Sequence, residues 1–223
     1  MSERTYTDMD AVSGSVGHEP VVGLLLHPSR LWRPTEILKS FASVPKTAGI
    51  YAWYFDDIPP GVPTAGCHRS ADGHVLLYVG IAPKMVKVGT RPSLRTLRDR
   101  LRDHLAGNAE GSTLRLTLGC LLAEQLQIRL RRVGSGNRHT FTNPGEIVLD
   151  GWLAAHAHIA FAATDRPWEV EASLLSTMSL PLNLSGNTAH SFAAYLSRTR
   201  AAARLEATAL PVVTDNGGPR RAA

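Results

Sequence analysis

The chain carries side chains that could bind an anion and a cation, and their spacing predicts which of them meet. Arg100 and His104 are four residues apart, so on a helix they lie side by side. Glu171 follows Trp168 by three residues and precedes Leu175 by four, which places it inside the apolar stripe of a predicted helix. A carboxylate on a buried face must be ion-paired, hydrogen-bonded or bound to a cation. These positions therefore predict either an internal Glu–Arg pair or a metal site.

Two tyrosines lie in short apolar runs that are typical of strands. Residues 48–55 and 74–80 are rich in β-branched and aromatic residues and lie next to Gly or Pro, which predicts two strands. Tyr51 and Tyr54 are three residues apart, so their side chains point to opposite faces of the first strand. Only one of them can face a given site. The other is expected to be a core residue whose hydroxyl is satisfied at the edge, which fits Tyr54.

A predicted helix places the arginine and the histidine at the edge of the core. Ser93 is a suitable N-cap, and the helix is expected to run to Leu105, before a Gly-Asn stop. Leucines at positions 94, 97, 101 and 105 form its apolar stripe. Arg100 and His104 lie on one flank of that stripe, where they could reach a cleft beside the sheet. Asp103 is expected to face away.

Further elements are predicted along the rest of the chain. Residues 114–124 are apolar, but periodicity does not decide between helix and strand. The alternation and the four arginines of residues 126–142 predict a basic hairpin. A helix is expected from Asn143 to about residue 157, a third strand at 158–163, a helix to Met178, and a last helix from Asn187 through Arg204. The helix from Asn143 is expected to bury Ile147, Leu149, Trp152 and Leu153 in part.

Positive charge is concentrated in two stretches. The net charge of +5 and the pI of about 9.6 permit a polyanionic partner without requiring one. Residues 91–104 contain five Arg and two Asp, and residues 129–138 contain four Arg and no acid. This clustering favours a phosphate-facing surface over two merely solvated faces. The residues predicted to bind nucleic acid are Lys84, Lys87, Arg91, Arg95, Arg129, Arg131, Arg132 and Arg138.

Other sequence features argue against several classes of protein. Cys67 and Cys120 have no paired spacing, so a reducing compartment is expected and a disulfide framework is not. The N-terminus lacks a signal-peptide core, and the apolar run near it is too short to span a membrane. A Gly-rich phosphate loop followed by Lys and Ser or Thr is absent. His156 and His158 could ligate a metal, but surface or core roles are more typical. We expect a cytoplasmic protein without a membrane partner.

Taken together, these motifs resemble those of the GIY-YIG nuclease superfamily. The two strands contain Gly49-Ile50-Tyr51 and Tyr78-Val79-Gly80, which match its two signature tripeptides. The resemblance implies an α/β (α+β) fold, with a small three-stranded antiparallel sheet flanked by helices and with N- and C-terminal extensions. The further motif positions, in the same order along the chain, are Arg100, His104, Glu171 and Asn183.

The resemblance also implies a domain organisation. A nuclease domain is expected over residues 46–205, with insertions at 56–73 and 126–142. Residues 1–20 are small and polar and are predicted to be disordered. Residues 21–45 are interpreted as an N-terminal cap segment, and residues 206–223 as a disordered tail.

The activity implied by the resemblance is metal-dependent endonucleolytic hydrolysis of phosphodiester bonds in DNA, with RNA not excluded. Tyr51 is then the general base, either as a phenolate or through a relay to His104. Glu171 holds one Mg²⁺ (or Mn²⁺) ion per site, because one carboxylate is found rather than a cluster. A double-strand break from one site per chain would need a dimer, which suggests a homodimer.

The remaining motif residues complete the implied site. Arg100 binds the scissile phosphate with its planar fork, and Tyr78 hydrogen-bonds the nucleophile or the phosphate. Asn183 has either a direct role or the role of a turn residue after Pro181. The main alternative is a catalytically inactive nucleic-acid-binding protein on the same scaffold. A structural or partner-binding domain with solvated arginines is a further alternative.

Overall fold

The structure, a computed structural model, describes residues 19–84 and 93–214. Lys87 and Arg91, both predicted to bind nucleic acid, lie outside the described residues, as do residues 1–18 of the predicted disordered N-terminus and 215–223 of the predicted tail. The helices are α1 Glu19–Leu26, α2 Pro34–Lys39, α3 Leu97–Ala106, α4 Thr113–Leu121, α5 Thr142–His156, α6 Pro167–Thr177 and α7 Ala193–Ala209. The strands are β1 Gly49–Phe55, β2 Val75–Ala82, β3 Arg131–Val133, β4 Arg138–Thr140 and β5 Ala157–Ala163, and a short 3-10 helix covers Phe41–Ser43.

The main sheet has three antiparallel strands in the order β2-β1-β5. In the centre of the sheet Tyr51 lies opposite Gly80 on β2 and Phe161 on β5. Helices cover both faces, so the predicted α+β class with a three-stranded antiparallel sheet is confirmed. Strands β3 and β4 form a separate two-stranded hairpin inside the predicted basic segment.

Side-chain alternation along β1 divides the core into two layers. Tyr51, Trp53 and Phe55 pack in a first layer with α2, α3, α4, α5 and α7. Ile50 and Tyr54 pack in a second layer with α1 and α6. The Tyr54 hydroxyl donates to the Leu25 carbonyl oxygen over 2.8 Å. The prediction that the two tyrosines face opposite sides is therefore confirmed.

The arginine-bearing helix begins later than predicted. Its N-cap is Thr96, not Ser93, because Thr96 Oγ1 accepts the backbone N–H of Asp99 while the Asp99 carboxylate accepts the N–H of Thr96. Leu94 lies before the helix and is 87% exposed, so its assignment to the apolar stripe is wrong. Asp103 does not face away, since it pairs with Arg100 at 3.2 Å.

Four other elements differ in detail from the sequence predictions. The undecided segment 114–124 is mainly helix α4. Helix α5 begins one residue before Asn143, and its Ile147 is 59% exposed, because it faces outward between buried turns. Helix α7 begins well after Asn187 and continues beyond Arg204 to Ala209. Glu19 and Pro20 open α1 rather than belonging to a disordered segment.

Both outer strands of the main sheet have backbone partners. Trp32 pairs with Ile159 on the free side of β5, with both N···O distances at 2.8 Å. At the other edge of the sheet, the His68 carbonyl oxygen accepts the Leu76 N–H of β2. Within residues 19–84 and 93–214, no helix has the length and apolar character needed to cross a membrane.

Candidate active site

A cavity of about 380 Å³ brings most of the predicted site residues together. This volume lies in the usual range for small-ligand sites, ~300–1,000 Å³. Helices from both core layers contribute to its wall, because α3, α4 and α7 supply residues from one side and α6 from the other. The side chains that line it include Tyr51, Tyr78, Lys84, Arg100, Thr113, Thr117, Glu171, Asn183 and Arg200.

The two signature strands meet where a tyrosine crosses a glycine. Tyr51 lies directly opposite Gly80 in the antiparallel register. A Cβ atom placed on Gly80 would lie 2.5 Å from Tyr51 Oη and 2.6 Å from Cζ. Such a contact is sterically excluded, so any larger residue at position 80 would displace the tyrosine ring. The glycine of the second tripeptide therefore positions the tyrosine of the first.

A buried hydrogen-bonded chain supports Tyr51 from behind. Tyr51 Oη lies 2.8 Å from His104 Nε2, and His104 Nδ1 lies 2.6 Å from Ser112 Oγ. Ser112 is the N-cap of α4, where its oxygen also accepts the Arg115 N–H. His104 is fully buried and does not itself line the cavity.

Burial controls the protonation of the hydrogen-bonded Tyr51 and His104 side chains. Burial lowers the pKa of His104 well below its ordinary value, and the positive charges of Arg100, Arg115 and Lys84 lower it further, so the ring is neutral at pH 7. Burial also raises the pKa of Tyr51 well above its ordinary value, and Tyr78 adds to this rise. The positive charge of Arg100 opposes the rise without cancelling it. Tyr51 is therefore a neutral phenol at pH 7.

Arg100 enters the cavity from α3 with part of its guanidinium unpaired. Its side chain is 10% exposed, and Nη1 donates to Asp103 Oδ2 over 3.2 Å. Its Nε is buried and has no hydrogen-bond partner among the described residues. An unpaired buried N–H carries a desolvation penalty. A ligand with acceptor oxygens would remove that penalty.

Glu171 lies at the edge of the buried face of α6, not inside it. The most buried residues of that helix are Pro167, Val170 and Leu174, one position away from the predicted Trp168–Leu175 stripe. Burial nevertheless raises the pKa of the Glu171 carboxyl to about 7, against a lowering by Lys84. Its carboxylate makes no hydrogen bond or ion pair with any residue that the structure describes.

Several cavity residues were not predicted as site residues from the sequence. Arg200 reaches the cavity from α7, and its buried Nε has no partner among the described residues. Burial and the neighbouring Arg204 lower the pKa of Arg200. Thr113 lines the cavity with Tyr78, whose pKa is raised by burial. No local pattern distinguishes an inward Arg200 from the other arginines of α7, so only the tertiary structure identifies it.

The GIY-YIG catalytic domain matches residues 49–202, which is more than half of the chain. The chain belongs to the GIY-YIG family. Nuclease-type hydrolysis is the activity of this family. No curated protein and no solved structure is significantly similar to the chain.

Asn183 has a bracing position within this GIY-YIG domain. Its Oδ1 accepts the Val79 N–H over 2.9 Å, and its Nδ2 donates to the Val79 carbonyl oxygen over 2.8 Å. The side chain is 4% exposed, and both of its polar atoms are thus occupied by β2. Asn183 therefore holds the strand that carries Tyr78.

The predicted nucleic-acid-binding residues of the GIY-YIG domain are spread over several environments. Lys84 lies at the cavity, whereas Arg95 pairs with Asp103 and Arg129 with Glu206. Arg131 and Arg132 donate to backbone oxygens between Ala207 and Pro211, and so tie the hairpin to the end of α7. Arg138 is on β4. Contact of these residues with nucleic acid stays a prediction.

Proposed function

We propose that this protein is a metal-dependent endonuclease that hydrolyses phosphodiester bonds in DNA. The observation that carries the proposal is the convergence of Tyr51, Tyr78, Arg100 and Glu171 on one cavity of about 380 Å³. Phosphodiester hydrolysis needs an activated water, stabilisation of the added negative charge and help for the leaving oxygen. The cavity offers a side chain for each of the first two requirements.

The Glu171 carboxylate fits a hard divalent cation. It is partly buried, lacks a described hydrogen-bond or ion-pair partner, and has a pKa of about 7 that a bound cation would lower. One carboxylate with open space suits Mg²⁺, which keeps several of its waters and takes few protein ligands. When bound, Mg²⁺ or Mn²⁺ would supply positive charge next to the phosphoryl oxygens.

Tyr51 and His104 would act together as the base. Burial keeps Tyr51 protonated, which argues against a resting phenolate. Tyr51 can therefore accept a proton from water only if it passes its own phenol proton to His104. As the water oxygen attacks phosphorus, a water O–H bond breaks and its proton passes to Tyr51 Oη. The original phenol proton passes over 2.8 Å to His104 Nε2, while the Nδ1–H donates to Ser112 Oγ.

The substrate makes this proton transfer favourable. A neutral His104 has a free acceptor nitrogen, but the charges of Arg100, Arg115 and Lys84 disfavour the imidazolium. A phosphodiester group brings negative charge into the same cavity and offsets those cations. His104 can therefore be protonated with substrate bound, although its pKa is depressed without substrate.

Arg100 and Arg200 would hold the phosphate from two sides. Each has a buried Nε–H without a described partner, and each lines the cavity. The guanidinium fork suits two phosphate oxygens at once. Tyr78 keeps its phenolic proton because burial raises its pKa, so it can donate to a third oxygen. The P–O bond to the leaving oxygen then breaks, and solvent protonates that oxygen.

Nicking of supercoiled plasmid DNA tests the proposal. We expect Mg²⁺-dependent nicking by the unaltered protein, and a loss of about 10²–10³-fold on removing one charge-stabilising group. Glu171→Gln should show this loss, and Tyr51→Phe, which removes part of the proposed base, should lose about 10²–10⁴-fold. Glu169→Gln is the matched control, since Glu169 lies on the same helix and pairs with Arg166 at 3.5 Å.

The alternative outcomes separate the rival functions. DNA binding without nicking, at any Mg²⁺ or Mn²⁺ concentration, would indicate an inactive nucleic-acid-binding protein. Cleavage of RNA alone would retain the mechanism but overturn the DNA substrate. Equal nicking by Glu171→Gln and Glu169→Gln would overturn the assigned role of the carboxylate.

A further inference from the structure

A second group of titratable side chains lies at one end of the sheet. Asp56 directly follows β1, His74 directly precedes β2, and His158 is the second residue of β5. His156 is the last residue of α5. Because β1 pairs with both neighbours up to Phe55, these side chains come from adjacent chain segments.

This group is separate from the candidate active site. His158 lies opposite Tyr54 in the sheet register, so its side chain shares the face of Tyr54. Tyr51, which lines the cavity, lies on the other face of β1. None of these Asp and His side chains lines the cavity.

Three of the side chains present donor atoms around a common point. One potential ligand atom from each of Asp56, His74 and His158 lies within 4.8 Å of the other two. Asp56 Oδ2 is 3.0 Å from His158 Nε2. Two ligand atoms that bind one ion at about 2.0–2.2 Å are themselves roughly 3.0–3.5 Å apart. The pair is a hydrogen bond in the metal-free protein, and its length equals the separation of two ligands on one ion, so an ion that replaces the bridging proton needs little movement of these two atoms.

Neighbouring groups orient the donors. His156 Nδ1 lies 2.9 Å from Asp56 Oδ1, which leaves Oδ2 for the common point. Ser70 Oγ lies 3.5 Å from His74 Nδ1, which leaves the other nitrogen of that ring. The His74 and His158 rings stack with centroids 3.9 Å apart and an interplanar angle of 17°, so one ring must turn before both in-plane lone pairs meet at one ion. Outer-shell hydrogen bonds such as those from His156 and Ser70 fix ligand orientation in metal sites.

We propose that Asp56, His74 and His158 bind one transition-metal ion of the zinc type, with His156 and Ser70 as orienting residues. Two imidazoles and one carboxylate suit zinc, with water in the remaining position. His158 is 5% exposed, but the Asp56 side chain is 34% exposed, so the ion can enter from solvent. The bound ion joins the ends of all three strands and acts as a structural clamp, whether or not the cavity cleaves DNA.

Metal titration of the chelator-treated full chain tests this site. Isothermal calorimetry with Zn²⁺ should give one tight site per chain. Co²⁺ should give the visible absorption of a low-coordinate nitrogen- and oxygen-ligated ion, which Zn²⁺ displaces. Saturation should raise the unfolding temperature by roughly 5 °C, since a ligand at about 100 times its Kd stabilises the folded state strongly.

Two ligand variants and two controls make the test specific. His74→Asn and Asp56→Asn should abolish both the Co²⁺ absorption and the thermal shift, with circular dichroism unchanged. His27→Asn alters an exposed histidine near the same core layer and should retain both signals. Glu171→Gln should also retain them, which separates this ion from one in the cavity. No Zn²⁺ binding by the unaltered chain, or equal binding by His74→Asn, would mean a metal-free Asp–His cluster and would overturn the proposal.

Discussion

Two buried arginine–glutamate regions of this molecule use the same residue types in opposite ways. The Arg115 guanidinium makes five hydrogen bonds to described residues, at distances from 2.6 to 3.2 Å, to Glu146, Asp150 and the His104 carbonyl oxygen. The Glu146 carboxylate also accepts two backbone N–H groups. In the cavity, by contrast, the Arg100 Nε and the Glu171 carboxylate have no hydrogen-bond partner among the described residues.

The difference separates scaffold from site. A buried charge pair whose donors and acceptors are all matched cannot take up a ligand, and it fixes α4 against α5. A buried guanidinium that is only partly paired and a partly buried carboxylate without a described partner destabilise the free protein and gain from a ligand. The Arg115 network also lies directly behind the candidate base, because it donates to the carbonyl oxygen of His104. The fully hydrogen-bonded Arg115–Glu146 network thus supports the cavity, whose groups are only partly paired.

The largest expected effect comes from disrupting the fully hydrogen-bonded Arg115–Glu146 network. Arg115→Met leaves the Glu146 carboxylate buried and unpaired, and we expect a loss of about 3–5 kcal/mol in the free energy of unfolding. Urea denaturation followed by circular dichroism measures it. The double variant Arg115→Met with Glu146→Leu removes both charges and should lose less. An equal or greater loss in the double variant would mean that packing, or the backbone N–H groups of Ala109 and Phe141 that lose their acceptor, outweighs the unpaired charge.

The next effect is the corresponding change in the cavity. Arg100→Met should reduce plasmid nicking by about 10²–10³-fold, a loss of ~2.7–4 kcal/mol in transition-state stabilisation. Its free energy of unfolding should change by less than about 1 kcal/mol, since Asp103 keeps its pairing with Arg95. A large loss of stability with little change in nicking would mean that Arg100, like Arg115, has a structural role and does not bind the phosphate.

The two glutamates should respond to pH in different ways. The folded-state pKa of Glu171, about 7, exceeds its ordinary value of 4.5. Ionisation therefore destabilises the metal-free fold: the effect is absent below about pH 4.5, grows through pH 7, and is complete above it.

Stability measurements across that range test the carboxylate directly. In chelator, Glu171→Gln should be more stable than the unaltered protein by roughly 1–3 kcal/mol at pH 8 and equal to it near pH 5. Glu146→Gln should instead be less stable at both pH values, because it weakens a matched network. A Glu171→Gln difference that does not vary between pH 5 and pH 8 would contradict the raised pKa.

The smallest expected effect comes from an exposed arginine, which belongs neither to the Arg115–Glu146 network nor to the cavity. Arg129 pairs with Glu206 at 3.1 Å, and both side chains are more than half exposed. Arg129→Ala should change the free energy of unfolding by no more than about 0.5 kcal/mol. If Arg129 contacts phosphate, the salt dependence of DNA binding should fall by a slope of about 1. An unchanged slope would remove Arg129 from the predicted nucleic-acid surface.

Local sequence patterns predicted the parts of the fold that depend on local interactions. The strands of the sheet, the opposite orientation of Tyr51 and Tyr54, and the helix that carries Arg100 all follow from alternation and spacing. The start of α3 was misplaced because Ser93 and Thr96 are both good caps. Only the reciprocal bond with Asp99 selects Thr96.

Long-range contacts account for most of what sequence patterns missed. Arg115 and Glu146 are 31 residues apart, and nothing in either local pattern marks them as partners. Arg200 likewise looks like any other arginine of α7 until the helix is packed against the cavity. For Glu171, helical periodicity correctly predicted a side chain close to the core. The buried stripe of α6 lies one position earlier than predicted, so the carboxylate lies at the edge of the buried face and not inside it.

The bracing of β2 by Asn183 also limits how two copies of this chain could assemble. Along Leu76–Val79 the outer backbone groups already bond to His68, Leu182 and Asn183, and on the far side of the sheet Trp32 occupies Ile159. A second molecule cannot continue the sheet at these positions without first displacing those segments. Edge-to-edge pairing of two copies, whether in a homodimer or in an aggregate, is therefore disfavoured at these positions.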